Sequence, residues 1–90
     1  MKMIYILSDN DCGSFECFAY WEDALQALKE MNEDSLIFIT DEEMAAIRDE
    51  MSKRVYKAGD GAWWDMVWCD EDERIQGCIY QRPLIGKGGR

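Results

Sequence analysis

Thr40-Asp41-Glu42-Glu43 is the stretch of this 90-residue chain that reports most directly on its fold. It matches a capping box, in which the Thr40 side chain accepts the backbone N–H of Glu43 and the Glu43 side chain reaches back to Thr40. The stretch therefore predicts the start of a helix, which is expected to run to about Arg54. The apolar face of this helix is expected to carry Met44, Ile47, Met51 and Val55.

Upstream of the capping box, the sequence predicts a helix followed by a strand. Residues 21–31 place apolar side chains at helical spacing, so an amphipathic helix is expected there. Leu36-Ile37-Phe38-Ile39 is a continuous apolar run, which indicates a strand in the centre of a sheet. The apolar face of the predicted helix consists of Trp21, Ala24, Leu25, Leu28 and Met31.

The two ends of the chain predict β-structure. Residues 2–8 and 14–20 are expected to form a hairpin around a loop rich in turn formers. Residues 62–69 and 74–82 are expected to form a second hairpin, which Pro83 ends. One face of the first strand in that second hairpin is expected to carry Trp64, Met66 and Trp68.

The predicted order of elements is ββαβαββ. Two helices on one face of a mainly antiparallel sheet of four to five strands bury these apolar faces economically. The expected fold class is therefore an α+β two-layer sandwich, loosely ferredoxin-like in layout. Alternatively, the first hairpin pairs outside the main sheet. A single domain is expected over residues 1–84, with a flexible C-terminal tail over residues 85–90.

Acidic side chains dominate the composition. The chain has 19 Asp and Glu, ten Lys and Arg, and a formal net charge of −9. Residues 1–50 hold 13 acidic and three basic side chains, whereas residues 51–90 are close to neutral. Such a surface repels nucleic acid and anionic membranes and attracts basic partners. We therefore expect a protein partner and no direct binding to nucleic acid or membrane.

The absence of His excludes the commonest catalytic devices. Without imidazole there is no Ser-His-Asp triad, no Cys-His pair and no His general base. Asp9-Asn10-Asp11 begins like a calcium loop, but Gly13 and Tyr20 break that pattern. The spacing of the cysteines does not match a zinc site. We therefore expect a non-enzymatic protein with no cofactor and no metal.

The four cysteines, Cys12, Cys17, Cys69 and Cys78, are expected to be reduced. The chain shows no export signal, so a cytoplasmic location is expected. With a turn near Glu71 and Asp72, Cys69 would lie opposite residues 74–76 and not opposite Cys78. Most of these thiols are expected to be half-buried.

Closely spaced carboxylates form the candidate site. The second helix carries two clusters of acidic residues, one at its start and one nearer its end. In the second cluster, Asp49 and Glu50 are also expected to pair with Lys53 and Arg54 one turn later. A further acidic run follows Cys69. The predicted partner-binding residues are Asp41, Glu42, Glu43, Asp49, Glu50, Asp70, Glu71, Asp72 and Glu73. Their charge density is comparable to that of nucleic-acid phosphates.

In size, acidity, lack of His and simple α+β layout, the chain resembles small phage-encoded inhibitors, notably acidic anti-CRISPR proteins. The resemblance rests on composition and on these carboxylate runs, so it transfers no individual residue role. It implies an inhibitor in the host cytosol that blocks a basic nucleic-acid-binding surface of a CRISPR effector complex, by nucleic-acid mimicry or by steric block. The chain is also similar in size and acidity to barstar-like immunity proteins, which block a nuclease.

A different reading of the sequence is a structural or accessory protein that associates with itself. An edge strand, or an exposed indole of the Trp63-Trp64 pair, would then form a dimer. The expected oligomeric state is accordingly a monomer or a weak homodimer.

Overall fold

A computed structural model of the chain describes residues 2–9, 13–55 and 65–84. Two helices cover one face of a four-stranded antiparallel sheet, which confirms the predicted α+β two-layer class. The elements are β1 (Lys2–Asp9), β2 (Ser14–Phe18), α1 (Trp21–Asp34), α2 (Asp41–Arg54), β3 (Asp65–Cys69) and β4 (Cys78–Leu84).

The sheet has the order β2-β1-β4-β3, so the first and last strands lie side by side at its centre. In the register of β1 and β4, Leu7 lies opposite Ile79 and Ile6 lies opposite Tyr80. The hairpin of β1 and β2 is part of this sheet, and the alternative of separate pairing is wrong. Edge strands β2 and β3 have five residues each, a short length that limits the unpaired backbone at each edge.

The core lies between the sheet and the helices. Both predicted apolar helix faces are confirmed, with Leu25 and Leu28 of α1 and Met51 of α2 completely buried. They pack with Leu7, Val67, Trp68 and Ile79 of the sheet. Full burial of an aliphatic side chain of this size contributes about 1.5–3 kcal/mol, so this layer is the main source of stability.

The prediction of a strand at residues 36–39 is wrong. This segment links α1 directly to α2, and the element order is ββααββ. Leu36 has a φ of 63° and is 79% exposed, and Phe38 is 64% exposed, while Ile39 is buried. The apolar run therefore places one residue in the core and leaves two in solvent, and the central positions of the sheet belong to β1 and β4.

Helix α1 is longer than predicted because Asn32 is a buried helical residue and not part of a turn. Its side-chain amide donates to the carbonyls of Leu28 at 2.8 Å and Gln76 at 3.0 Å. Its Oδ1 accepts the backbone N–H of Gln76 at 2.8 Å. With every polar atom paired, Asn32 can be fully buried, and the helix continues to Asp34.

The second hairpin departs from prediction in three ways. Strand β4 begins at Cys78, later than residue 74, and it continues through Pro83 to Leu84. Proline has no backbone N–H to donate to a neighbouring strand. Pro83 is tolerated because the described pairing of β3 with β4 ends at Gln81, so no described strand lies beside Pro83 on the β3 side. The register shifts between Met66 and Trp68, which places Met66 in solvent and Trp68 in the core. These two side chains therefore do not share a face.

Cys69 and Cys78 form a disulfide, so the prediction that all four thiols are reduced is wrong. The two residues are direct partners in the register of β3 and β4, with Cα atoms 4.5 Å apart. That separation suits both a close antiparallel pair and a disulfide. The two cysteines face each other because the connecting loop spans residues 70–77 and is not the tight turn predicted at Glu71-Asp72. Cys17 is a free thiol and is exposed, not half-buried.

Several predictions lie outside the described residues. They concern Cys12, the Trp63-Trp64 pair and the tail over residues 85–90, together with the first three residues of the strand predicted at 62–69. Neither α1 nor α2 has the length and apolar character needed to cross a membrane, and the described residues contain no other helix.

Candidate functional site

The N-terminus of α2 presents two of the predicted carboxylates to solvent. The predicted capping box is confirmed: Thr40 Oγ1 accepts the Glu43 N–H at 3.1 Å, and Glu43 Oε1 accepts the Thr40 N–H at 3.1 Å. Asp41 and Glu42 lie in the first helical turn and are exposed, where the helix dipole stabilises their negative charge. Glu43 is partly buried and structural, so it is the least available of the three.

The C-terminal half of α2 pairs its acidic groups with cations one turn later. Asp49 lies 2.9 Å from Lys53, and Glu50 lies 3.8 Å from Arg54, which confirms both predicted pairs. The hydrogen bond from Lys53 to Asp49 raises the pKa of the lysine above its ordinary value. All four side chains are exposed, and such pairs are easily exchanged for a partner's charges. These carboxylates are accessible but partly neutralised.

Asp70 organises the acidic loop over residues 70–77. Its carboxylate accepts the backbone N–H groups of Asp72 at 3.1 Å, Arg74 at 3.1 Å and Ile75 at 2.9 Å. Because three donors already occupy this carboxylate, Asp70 shapes the loop and is not a free acceptor. Glu71, Asp72 and Glu73 project into solvent around it.

The structure brings the two predicted acidic segments together. Arg74 of the loop forms an ion pair with Glu43 of α2. Farther along the helix, Glu50 and Arg54 line a shallow cleft of about 240 Å³ together with Asp70 and Glu71. The exposed carboxylates of α2 and of the adjoining loop are here called the acidic ridge. Its members are Asp41, Glu42, Asp49, Glu50, Glu71, Asp72 and Glu73.

Helix α1 carries a second acidic surface that the predicted site omits. The helix has five acidic residues and a single lysine, Lys29, which pairs with Glu33 at 3.0 Å. Within the described part of the chain, no ion pair involves Glu22, Asp23 or Asp34. Burial, followed by the nearby charge of Glu22, raises the pKa of Tyr5 above its ordinary value. The ratio of acidic to basic residues in α1 was the sequence signal for this surface.

The cation Arg48 lies between the two helices. Its guanidinium carbon is 5.8 Å from the centre of the Trp21 ring, within range of a cation–π interaction. This contact ties the first turn of α1 to the middle of α2 and places a positive group beside the acidic surfaces. The helical side is therefore acidic overall but includes the positively charged side chain of Arg48.

Residues 2–9, 13–55 and 65–84 contain no assembled metal site. No three Cys, Asp or Glu side chains in these segments are close enough together to hold a metal ion. In the described structure the Cys69 and Cys78 sulfurs are bonded to each other, so neither is a thiolate ligand. What the helical side can do chemically is present charge to a partner.

The opposite face of the sheet differs in chemistry. It contains an open groove of about 480 Å³ with apolar side chains along most of its length. Alternation along β1 puts Leu7 into the core and Ile4 and Ile6 onto this other face.

Comparisons of the chain with protein-family models, with curated proteins and with solved structures found no match.

Proposed function

We propose that this protein is a non-enzymatic inhibitor that binds a basic nucleic-acid-binding surface of a CRISPR effector complex. The observation that carries the proposal is the acidic ridge, in which carboxylates from α2 and from the loop after β3 adjoin one another. Nucleic acid binds such effectors through closely spaced negative charges, and the ridge offers the same kind of charge on a protein scaffold. The protein would act in the cytoplasm, where effector complexes work.

The geometry of α2 supports this type of recognition. Glu42 and Asp49 are seven residues apart and share one face of α2, about 10 Å apart at 1.5 Å per residue, which corresponds to about three phosphates along one nucleic-acid strand. The helix is held in place by its capping box and by the buried side chains of Ile47 and Met51. A ridge fixed in this way loses little conformational entropy when it binds.

The ion pairs on α2 set the expected behaviour of binding. Asp49 and Glu50 must exchange Lys53 and Arg54 for cations of the partner, so each contributes modestly, and the sum over the ridge gives affinity. Binding between exposed charges weakens as salt screens them. We therefore expect fast, salt-sensitive association with a basic partner.

The test is a binding assay against a panel of purified CRISPR effector complexes and nucleases, with competitor DNA. The wild-type protein is expected to bind an effector and to be displaced by DNA. The triple variant Glu42→Lys, Asp49→Lys and Glu50→Lys is expected to lose on the order of 100-fold in affinity at low salt, since about 1 kcal/mol is lost at each reversed charge. The loss should shrink as salt rises.

A matched control separates the ridge from net charge. The variant Glu22→Lys, Glu30→Lys and Asp34→Lys changes the net charge of the chain by the same amount at exposed sites on α1. It should weaken binding several-fold at most, because charges beyond the Debye length of about 8 Å are screened. Equal losses in both variants would assign binding to net charge, and an unaffected α2 variant would remove the ridge from the interface. Binding to a nuclease alone would favour the barstar-like alternative.

A further inference from the structure

The face of the sheet opposite the helices has the chemistry of an interface. We define the open face by six apolar residues that lie on that side of the four strands: Ile4, Ile6, Phe15, Cys17, Met66 and Tyr80. Phe15 is 68% exposed and Met66 is 49% exposed. Among the described residues, no helix or strand packs over this face. Phe15 and Met66, on its two edge strands, are left in water, whereas Ile6 at its centre is only 7% exposed.

The distribution of charge distinguishes the open face from the rest of the molecule. None of the described side chains on this face is a carboxylate, although the whole chain has a net charge of −9. Arg82, at one end of the groove, is the charged side chain described there. Acidic residues of the strands, such as Glu16 opposite Leu7, lie on the helical side of the sheet.

We propose that the open face binds a second copy of this chain to form a two-fold symmetric dimer, a property that does not depend on the inhibitor function. An apolar face is complementary to itself, and a two-fold axis pairs the same patch from both copies. A basic protein would find no carboxylate here and is attracted to the helical side instead. Nucleic acid is repelled by the overall charge.

Face-to-face packing also keeps the acidic layers apart. Two packed sheets lie about 10 Å from each other, and each copy carries its helices on the far side. The acidic surfaces of the two copies would then be about 30 Å apart, which is several Debye lengths at physiological salt. This arrangement is thus the one in which two strongly acidic molecules associate with little electrostatic cost.

The size of the open face sets the expected affinity. Four strands about 4.8 Å apart, each with roughly five to seven residues, give a face on the order of 300 Å² per copy. A standard stable interface buries about 800 Å² per partner. The dimer should therefore be weak and reversible, with a Kd on the order of 100 µM.

The test is sedimentation equilibrium from about 10 µM to about 1 mM protein, a range that brackets the expected Kd. A Cys12→Ser and Cys17→Ala background prevents dimers linked by disulfides, keeps the open face apolar at residue 17 and leaves Cys69 and Cys78 unchanged. The average mass is expected to rise from 10.5 kDa towards twice that value. Higher salt should leave the Kd unchanged or lower it, because only repulsion is screened.

Substitutions assign the dimer to the open face. Phe15→Glu and, separately, Met66→Glu should each raise the Kd at least about tenfold, because they place a charge in an apolar contact. The matched control is Phe38→Glu, which alters an equally exposed aromatic residue between α1 and α2 and should leave the Kd unchanged. Circular dichroism checks that each variant is folded. A constant mass of 10.5 kDa over the whole range, or a dimer that both open-face variants preserve, would overturn the proposal.

Discussion

The two sides of the sheet differ sharply in charge although the same strands form both. On the helical side, alternate strand residues such as Leu7 and Ile79 are buried under α1 and α2. The outer surfaces of these two helices carry many of the acidic residues. On the other side, Ile6 and Tyr80 line an apolar groove that none of the described helices or strands covers. A net charge of −9 therefore does not describe the whole surface. The described acidic groups lie mainly on the helical side, and the open face is the one proposed to bind by the hydrophobic effect.

The largest expected effect concerns Asn32, which joins the helical side to the loop before β4. Asn32→Ala should lower the free energy of unfolding by about 2–4 kcal/mol, because the partly buried N–H and C=O of Gln76 lose their side-chain partner. Urea denaturation measures this change. Gln26→Ala, an exposed position on the same helix, should change stability by less than about 0.5 kcal/mol. Equal effects of the two substitutions would contradict the role given to Asn32.

The next effect concerns the disulfide that ties edge strand β3 to β4. In the Cys12→Ser and Cys17→Ala background, reduction should lower stability by about 2.5 kcal/mol, as expected for a closed loop of this length. Alkylation followed by mass spectrometry checks the bond itself. No alkyl group should be added before reduction, and two should be added after it. Full alkylation without reductant would show that Cys69 and Cys78 are thiols in solution.

Sequence reasoning succeeded where a local rule was sufficient. The capping box at Thr40 and the apolar faces of both helices depend on neighbours three or four residues away, and all were predicted correctly. It failed where a distant contact decides the outcome. Asn32 is helical because Gln76 satisfies it, and Cys69 meets Cys78 because the loop after it is long. The apolar run at residues 36–39 had the composition of a strand but no place in the sheet.

The same division applies to the candidate site. The carboxylates of the acidic ridge were visible as runs in the sequence, but the contact of Arg74 with Glu43 that joins the two runs was not. The open face was also missed, because an apolar residue on either side of a strand looks the same until the helices are placed. Its signal was the presence of apolar residues at both even and odd positions of β1.

A smaller effect concerns the cap that holds the start of the ridge. Thr40→Ala should cost about 1 kcal/mol, since the Glu43 N–H loses its side-chain acceptor. Ser52→Ala removes another exposed hydroxyl of α2 that bonds to the Asp49 carbonyl, and it should be close to neutral. Thermal denaturation of the two variants side by side makes the comparison. A neutral Thr40→Ala would mean that the cap contributes nothing to the stability of α2.

The smallest effect on stability concerns Arg74, the cation inside the ridge. Arg74→Gln should change stability by less than about 1 kcal/mol, as is usual for an exposed ion pair. It should nevertheless strengthen binding to a basic partner a few-fold, because Glu43 is no longer neutralised. Weaker binding by this variant would show that Arg74 itself contacts the partner. The interface would then use a cation of this protein as well as its carboxylates.

The most direct test of the account is to measure, in one salt series, both binding to a purified CRISPR effector complex and self-association. Opposite responses are expected: effector binding should weaken as salt rises, and self-association should not, because the first uses the acidic ridge and the second uses the open face. The charge-reversed α2 variant should lose only the first, and Phe15→Glu only the second. Effector binding that is independent of salt and unchanged in the α2 variant would contradict the central claim that the acidic side is the inhibitory surface.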